Sequence, residues 1–132
     1  MKLWVFDNDG TLYDDANAHD QFSALLIRYV ASRLNCSEEN ASMFLEAEKQ
    51  KADSGSLVGT LVQKFHFDFD ELVNQTYLNI DLSECVPAPD QERRKVLENI
   101  PDPKIVLTNN PAAYAQKVLR RIGLDHCFVD VK

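Results

Sequence analysis

No apolar run in these 132 residues approaches the roughly 20 needed to cross a bilayer, so a membrane span is not expected. The opening stretch Met1–Phe6 leads at once into acidic residues and lacks the basic and apolar regions of a secretory signal; the expected location is cytoplasmic. Cysteine is scarce. Cys36, Cys85 and Cys127 are odd in number and share no CxxC spacing, which argues against a disulfide framework or a zinc site and for buried thiols in a reducing compartment. Positive charge is short too: 14 Lys and Arg against 21 Asp and Glu leave a net charge of −7. Repulsion on that scale argues against nucleic-acid polymers or an anionic membrane as partners. It leaves room for a small anionic substrate, because a bound metal ion can invert the field of a site. Internal repeats and low-complexity tracts are missing as well. The apolar fraction, 45%, is ordinary for a chain that folds around a core.

Two kinds of sequence alternate. Leu3–Phe6 is a short unbroken apolar run, the pattern of a strand buried on both faces. Ile105–Leu107 is a second such run, and Cys127–Val131 a third, interrupted at Asp130. Between the last two lies a helix with Ala115, Val118, Leu119 and Ile122 on one face; Asn110-Pro111 reads as its N-cap and first position, and Gly123 as its stop. Strand, helix and strand at this spacing form a βαβ unit, so the sheet is expected to be parallel.

The middle of the chain is helical in pattern. Phe22, Leu25, Leu26, Tyr29, Val30 and Leu34 recur at helical spacing. Ser37 is placed to cap a second helix carrying Ala41, Phe44 and Leu45, and Leu57, Val58, Leu61, Val62 and Phe65 mark a third. Asp68, with Glu71 three residues on, opens a fourth carrying Leu72, Val73 and Tyr77. Pro87 and Pro89 mark the return from this block, and a helix over Gln91–Asn99 leads to the second strand. The expected fold class is α/β, a Rossmann-like parallel core interrupted by an all-helical insertion.

The residues that carry chemistry are Asp7-Asn8-Asp9-Gly10-Thr11, directly after the first strand. Open parallel sheets bind ligands at the carboxyl ends of their strands. Carboxylates at i and i+2 leave an extended strand on the same side. One can attack phosphorus to form an acyl phosphate; the other can protonate the leaving oxygen and then deprotonate the attacking water. Two anions facing an anionic substrate call for a divalent cation, and Mg²⁺ is the oxygen-seeking choice. Asn-Asp-Gly is also a hairpin turn signal, but Leu12-Tyr13-Asp14-Asp15-Ala16 slides into a helix instead of an alternating strand. The second strand ends in Thr108-Asn109-Asn110, where a hydroxyl and amide donors at a helix start suit an anion; the plainer reading is a helix cap.

Asp7-Asn8-Asp9-Gly10-Thr11-Leu12-Tyr13 resembles the signature of haloacid dehalogenase-like phosphatases. The resemblance implies that Asp7 is the nucleophile, that Asp9 is the general acid/base, and that the Asp7 carboxylate and the Asp9 backbone carbonyl bind Mg²⁺. In the true dehalogenases the second aspartate is replaced, so Asp9 points to phosphoryl transfer. Ile105–Asn110 is similar to the superfamily's second motif, which implies that Thr108 and the Asn109 N–H bind the substrate phosphate. The superfamily often inserts a helical cap after its first strand. The resemblance therefore implies an α/β core over 1–13 and 89–132 with a cap over 14–88 that closes over the substrate and sets specificity. The layout, with Leu119-Arg120-Arg121-Ile122-Gly123-Leu124, most resembles the pyrimidine 5′-nucleotidase-like branch.

Three activities follow as expectations. The first is a Mg²⁺-dependent phosphomonoesterase acting on a small phosphorylated metabolite, with a nucleoside monophosphate as the family-based substrate. The second is a phosphotransferase or mutase using the same aspartates, and the third a shortened relative that binds without catalysis. Family members carry a further lysine and acidic metal-site residues beyond the position of Val131. The resemblance thus implies a continuing chain, or a second copy filling an exposed sheet edge, and it places the first strand at the centre of the sheet. Lys104 and Lys117 lie in the wrong context for that lysine, and Asp14 and Asp15 are read as caps of the first helix.

Overall fold

The computed structural model describes residues 1–51, 55–86 and 88–132. They divide into two compact units, Met1–Asp20 with Ile80–Lys132, and Gln21–Asn79. Pro87, one of the two prolines expected to mark the return from the helical block, lies outside the described residues.

The first unit is an α/β layer. Strand β1 (Trp4–Phe6) pairs in parallel with β2 (Lys104–Val106), and β2 pairs in parallel with β3 (Asp130–Val131), in the order β1-β2-β3. The parallel βαβ unit read from the sequence is present. Helix α5 (Gln91–Glu98) precedes β2, and α6 (Ala112–Ile122) joins β2 to β3. Helix α6 buries Tyr114, Ala115, Val118, Leu119 and Ile122, the apolar stripe that a 3.6-residue period creates. It stops at Gly123, whose φ of 82° places its amide on the Leu119 carbonyl at 3.0 Å, a left-handed cap that side-chain-bearing residues rarely adopt.

Three expectations are corrected here. Strand β1 is an edge strand of these three and is not buried on both faces: Leu3, Trp4 and Val5 are 58%, 43% and 54% exposed. An unbroken apolar run marks a strand but does not say whether neighbours flank it on both sides. The third strand begins only at Asp130, because Asp125–Cys127 wind into a 3-10 turn in which the Cys127 amide reaches the Leu124 carbonyl at 3.0 Å. Helix α6 begins at Ala112 with Pro111 as N-cap, so Asn110 stands one residue before the cap.

The second unit is helical. Helix α1 (Ala16–Leu34) starts in the first unit, where the Asp14 side chain accepts from the Ala16 amide at 3.0 Å, and runs on into the second. Helix α2 (Glu38–Lys51) opens on Ser37, whose hydroxyl accepts from the Asn40 amide at 3.1 Å. Helix α3 (Leu57–Phe65) is capped by Ser56, and α4 (Phe69–Gln75) by Asp68, whose carboxylate accepts from the Glu71 amide at 2.8 Å. The core holds Leu26, Val30, Ala41, Leu45, Leu61, Phe67 and Leu72, close to the residues the helical periods select. His66 is an exposed left-handed cap of α3 with φ 59°. Among the described residues no helix is long and apolar enough to cross a membrane.

Candidate active site

Strand β1 delivers Asp7, Asn8 and Asp9 to its carboxyl end with alternating directions. Asp7 is exposed, Asn8 fully buried and Asp9 half-buried, the two-residue period of an extended chain. The chain then turns sharply. The Asn8 carbonyl accepts from the Thr11 and Leu12 amides at 3.1 and 2.9 Å, and Gly10 takes a φ of 73° to make this geometry. No hairpin follows; the next element is α1.

Asp9 is held from three directions. Its Oδ1 accepts from the Tyr13 hydroxyl at 2.6 Å, and its Oδ2 from the Asn110 side-chain amide at 2.8 Å and the Thr108 hydroxyl at 3.3 Å. Behind Tyr13 stands Tyr114, with the two phenol oxygens 2.8 Å apart. Burial, helped by the bonds to Asp9 and Tyr114, pushes the Tyr13 phenol far above its ordinary range. Burial pushes Tyr114 up to about 12, against the opposing bond from Tyr13. Both phenols therefore stay neutral at working pH, and Tyr13 serves as a hydrogen-bond donor, not as a base. Asp7 makes a single local contact, its Oδ1 accepting from the Asn8 amide at 2.9 Å.

The register explains why residues 99 positions apart meet. Phe6 stands opposite Val106, and the Leu107 amide donates to the Phe6 carbonyl at 2.9 Å, so the chain segments leaving β1 and β2 run side by side. Thr108 sits in that second segment. Its hydroxyl also accepts from the Asn110 amide at 3.0 Å, the cap-like turn that its sequence allowed, while still reaching Asp9. Asn109 lies beside them, exposed. Thr108 and Asp9 are thus in direct contact. Tyr13, Tyr114 and Asn110 join this cluster without a local sequence signal for that role. Tyr13 belongs to the Asp7–Tyr13 motif, but nothing in the sequence pairs it with a tyrosine 101 residues away.

The oxygens presented after β1 and β2 include the Asp7 carboxylate, the Asp9 carboxylate and backbone carbonyl, and the Thr108 hydroxyl. That composition suits a hard cation such as Mg²⁺ better than a thiolate- or imidazole-seeking metal. Asp9 has both carboxylate oxygens engaged, so Asp7 offers the more available carboxylate. Lys104 and Lys117 are committed elsewhere. Lys104 is buried and donates to the Ile100 and Asp102 carbonyls at 2.6 and 3.1 Å, and Lys117 donates to the Ile80 carbonyl at 2.8 Å.

No protein-family model matches the chain, and no curated protein matches it. Among solved structures it is similar to the crystal structure of a "putative phosphatase" from Clostridium difficile, at 18% sequence identity and a TM-score of 0.45. The match covers 98% of this chain and 59% of the other, so the chain spans less than two thirds of that protein's length.

Proposed function

We propose that the protein is a Mg²⁺-dependent phosphomonoester hydrolase of haloacid dehalogenase-like type, working through an aspartyl phosphate on a small phosphorylated metabolite. A nucleoside monophosphate is the family-derived substrate. The observation that supports this most is the pairing of an accessible carboxylate, Asp7, with a second carboxylate, Asp9, locked in place by Tyr13, Asn110 and Thr108. A nucleophile must be free to attack, whereas a proton shuttle must be aimed.

In the first step an Asp7 oxygen attacks phosphorus and the ester P–O bond breaks, with Asp9 giving its proton to the departing alkoxide. In the second, Asp9 takes a proton from water, the water oxygen attacks phosphorus, and the bond to Asp7 breaks to release phosphate. The 3.3 Å contact from Thr108 is the longest of those holding Asp9, so its hydroxyl is the donor most readily turned to a phosphoryl oxygen. Asn109 would add its backbone N–H. Asp7 and Asp9 would hold Mg²⁺, which would supply positive charge to offset the substrate's anion. The helical unit is assigned the part of a cap that selects the substrate.

The test is release of p-nitrophenol from its phosphate ester with and without Mg²⁺. Asp7→Asn should lower the Mg²⁺-dependent rate on the order of 10³-fold or more. A rate equal to that of the unmodified protein would overturn the assignment of the nucleophile. A wild-type protein that binds phosphate yet never turns over would favour the binding-module alternative, and transfer to an added sugar in preference to water would favour the phosphotransferase.

A further inference from the structure

The α/β unit contains a second cluster of metal-seeking side chains, built from residues that the hydrolase proposal leaves idle. Glu98 closes α5, and His126 and Cys127 are consecutive in the 3-10 turn that leads to β3. Their ligating atoms all lie within 4.8 Å of one another. The His126 Nε2 is 2.8 Å from Glu98 Oε1 and 3.6 Å from Cys127 Sγ. One ring nitrogen thus faces a carboxylate and a thiol together, although it has only one proton or one lone pair to offer.

We infer that Glu98, His126 and Cys127 form a binding site for one zinc-class divalent ion. The dimensions support it. Bonds of about 2.3 Å to sulfur and about 2.0 Å to nitrogen or oxygen, at tetrahedral angles, set S···N near ~3.6 Å and N···O near ~3.3 Å. The sulfur–nitrogen edge already has this length, and the nitrogen–oxygen edge, at 2.8 Å, needs to open by roughly half an ångström. Mixed thiolate, imidazole and carboxylate donors select a borderline-soft ion and not the hard Mg²⁺ suited to Asp7 and Asp9. Two protein elements hold the ligands, with Cys127 buried and the other two half-exposed, which leaves the fourth position to water. Arg94 Nε donates to Glu98 Oε1 at 2.8 Å; on metal binding it keeps the carboxylate by its second oxygen and so orients the ligand. The thiol loses its proton to solvent as the sulfur–metal bond forms.

The location is informative. Helix α5 and the 3-10 turn both lead into strands, so this cluster stands at the amino ends of β2 and β3, whereas Asp9 and Thr108 follow the carboxyl ends of β1 and β2. In a parallel sheet those ends are opposite, so the ion would tie α5 to the turn before β3 without meeting substrate. CxxC spacing is not how this cluster is made; two adjacent ligands on one turn meet a third from a distant helix end.

The experiment is a Co²⁺ titration of the untagged, chelator-treated full chain, followed by displacement with Zn²⁺. One Co²⁺ per chain should bind with a thiolate-to-cobalt charge-transfer band, which Zn²⁺ abolishes. Cys127→Ser should remove the band. His126→Ala, at an exposed position whose folding circular dichroism verifies, should weaken formation of the Co²⁺ band at least tenfold, and Asp7→Asn should leave the thiolate-to-cobalt band unchanged. No band in the wild-type chain, or a band that survives in both His126→Ala and Cys127→Ser, overturns the site and leaves an ordinary Glu98–His126 ion pair.

Discussion

The two units solve different problems with the same chain. The helical unit closes an apolar core in which Leu61, Leu72 and Val30 are fully buried; Glu48, its one buried carboxylate among the described residues, is neutralised by Lys64 at 3.2 Å and Lys51 at 3.5 Å. The α/β unit buries β2 and α6 but concentrates hydroxyl, amide and carboxylate groups beyond the strand ends, where Tyr114, Tyr13, Asp9, Asn110 and Thr108 form one connected network. In the first, buried polarity is cancelled. In the second it is aimed at one carboxylate. The contrast teaches that buried polarity is met in two ways: opposite charges neutralise one carboxylate, and neutral donors orient the other while leaving its charge in place.

Three substitutions probe that contrast, in order of size. Leu61→Ala removes a fully buried side chain from the helical core and should cost about 2–5 kcal/mol in urea unfolding. The pH profile of kcat for the folded protein should not change; a changed profile would mean that the helical unit tunes the carboxylates, and the contrast would fail. Tyr13→Phe removes the donor at 2.6 Å from Asp9. A bond to a charged group is worth about 1.5–3 kcal/mol, so kcat should fall roughly 10- to 100-fold with the fold intact by circular dichroism. Unchanged kcat with lowered stability would make this tyrosine a core residue and nothing more.

The smallest effect belongs to Glu48. Burial alone would raise its pKa, but the bonds and charges of Lys64 and Lys51 outweigh burial and hold the carboxyl below its ordinary range. A carboxyl depressed on folding stabilises above its unfolded pKa, and that contribution is lost as pH falls through the depressed value. Glu48→Gln should therefore lower the urea midpoint slightly at neutral pH and flatten its decline toward acid. An equally steep decline in the variant would remove Glu48 from the account.

Much of this was readable in the residues. Helices α1 to α4 declared themselves through apolar period and through caps at Ser37 and Asp68, both local signals. The βαβ unit followed from strand-like runs flanking the stripe of α6. Asp7 and Asp9 stood out because two carboxylates beyond an apolar strand have little else to do. What stayed hidden depended on contacts between distant residues. The Tyr13–Tyr114 pair is invisible until β1 and β2 align, and Asn110 read as a helix cap because its local sequence fits one. The exposure of β1 was hidden for a related reason: composition says that a strand is apolar, while neighbours decide which of its faces are covered.

That exposed strand has a consequence for how quickly the proposed nucleophile's segment loosens. Trp4 donates its amide to the Pro103 carbonyl at 3.0 Å, and the Phe6 carbonyl receives the Leu107 amide at 2.9 Å, so strand alternation turns the Val5 and Asp7 amides away from β2. In deuterated solvent the Val5 and Asp7 amides should exchange early, the Trp4 and Phe6 amides later, and that of fully buried Val106 last. The carboxylate assigned to attack phosphorus thus rides on a strand fastened along one flank, and opening of that strand would part Asp9 from Thr108 and Asn110.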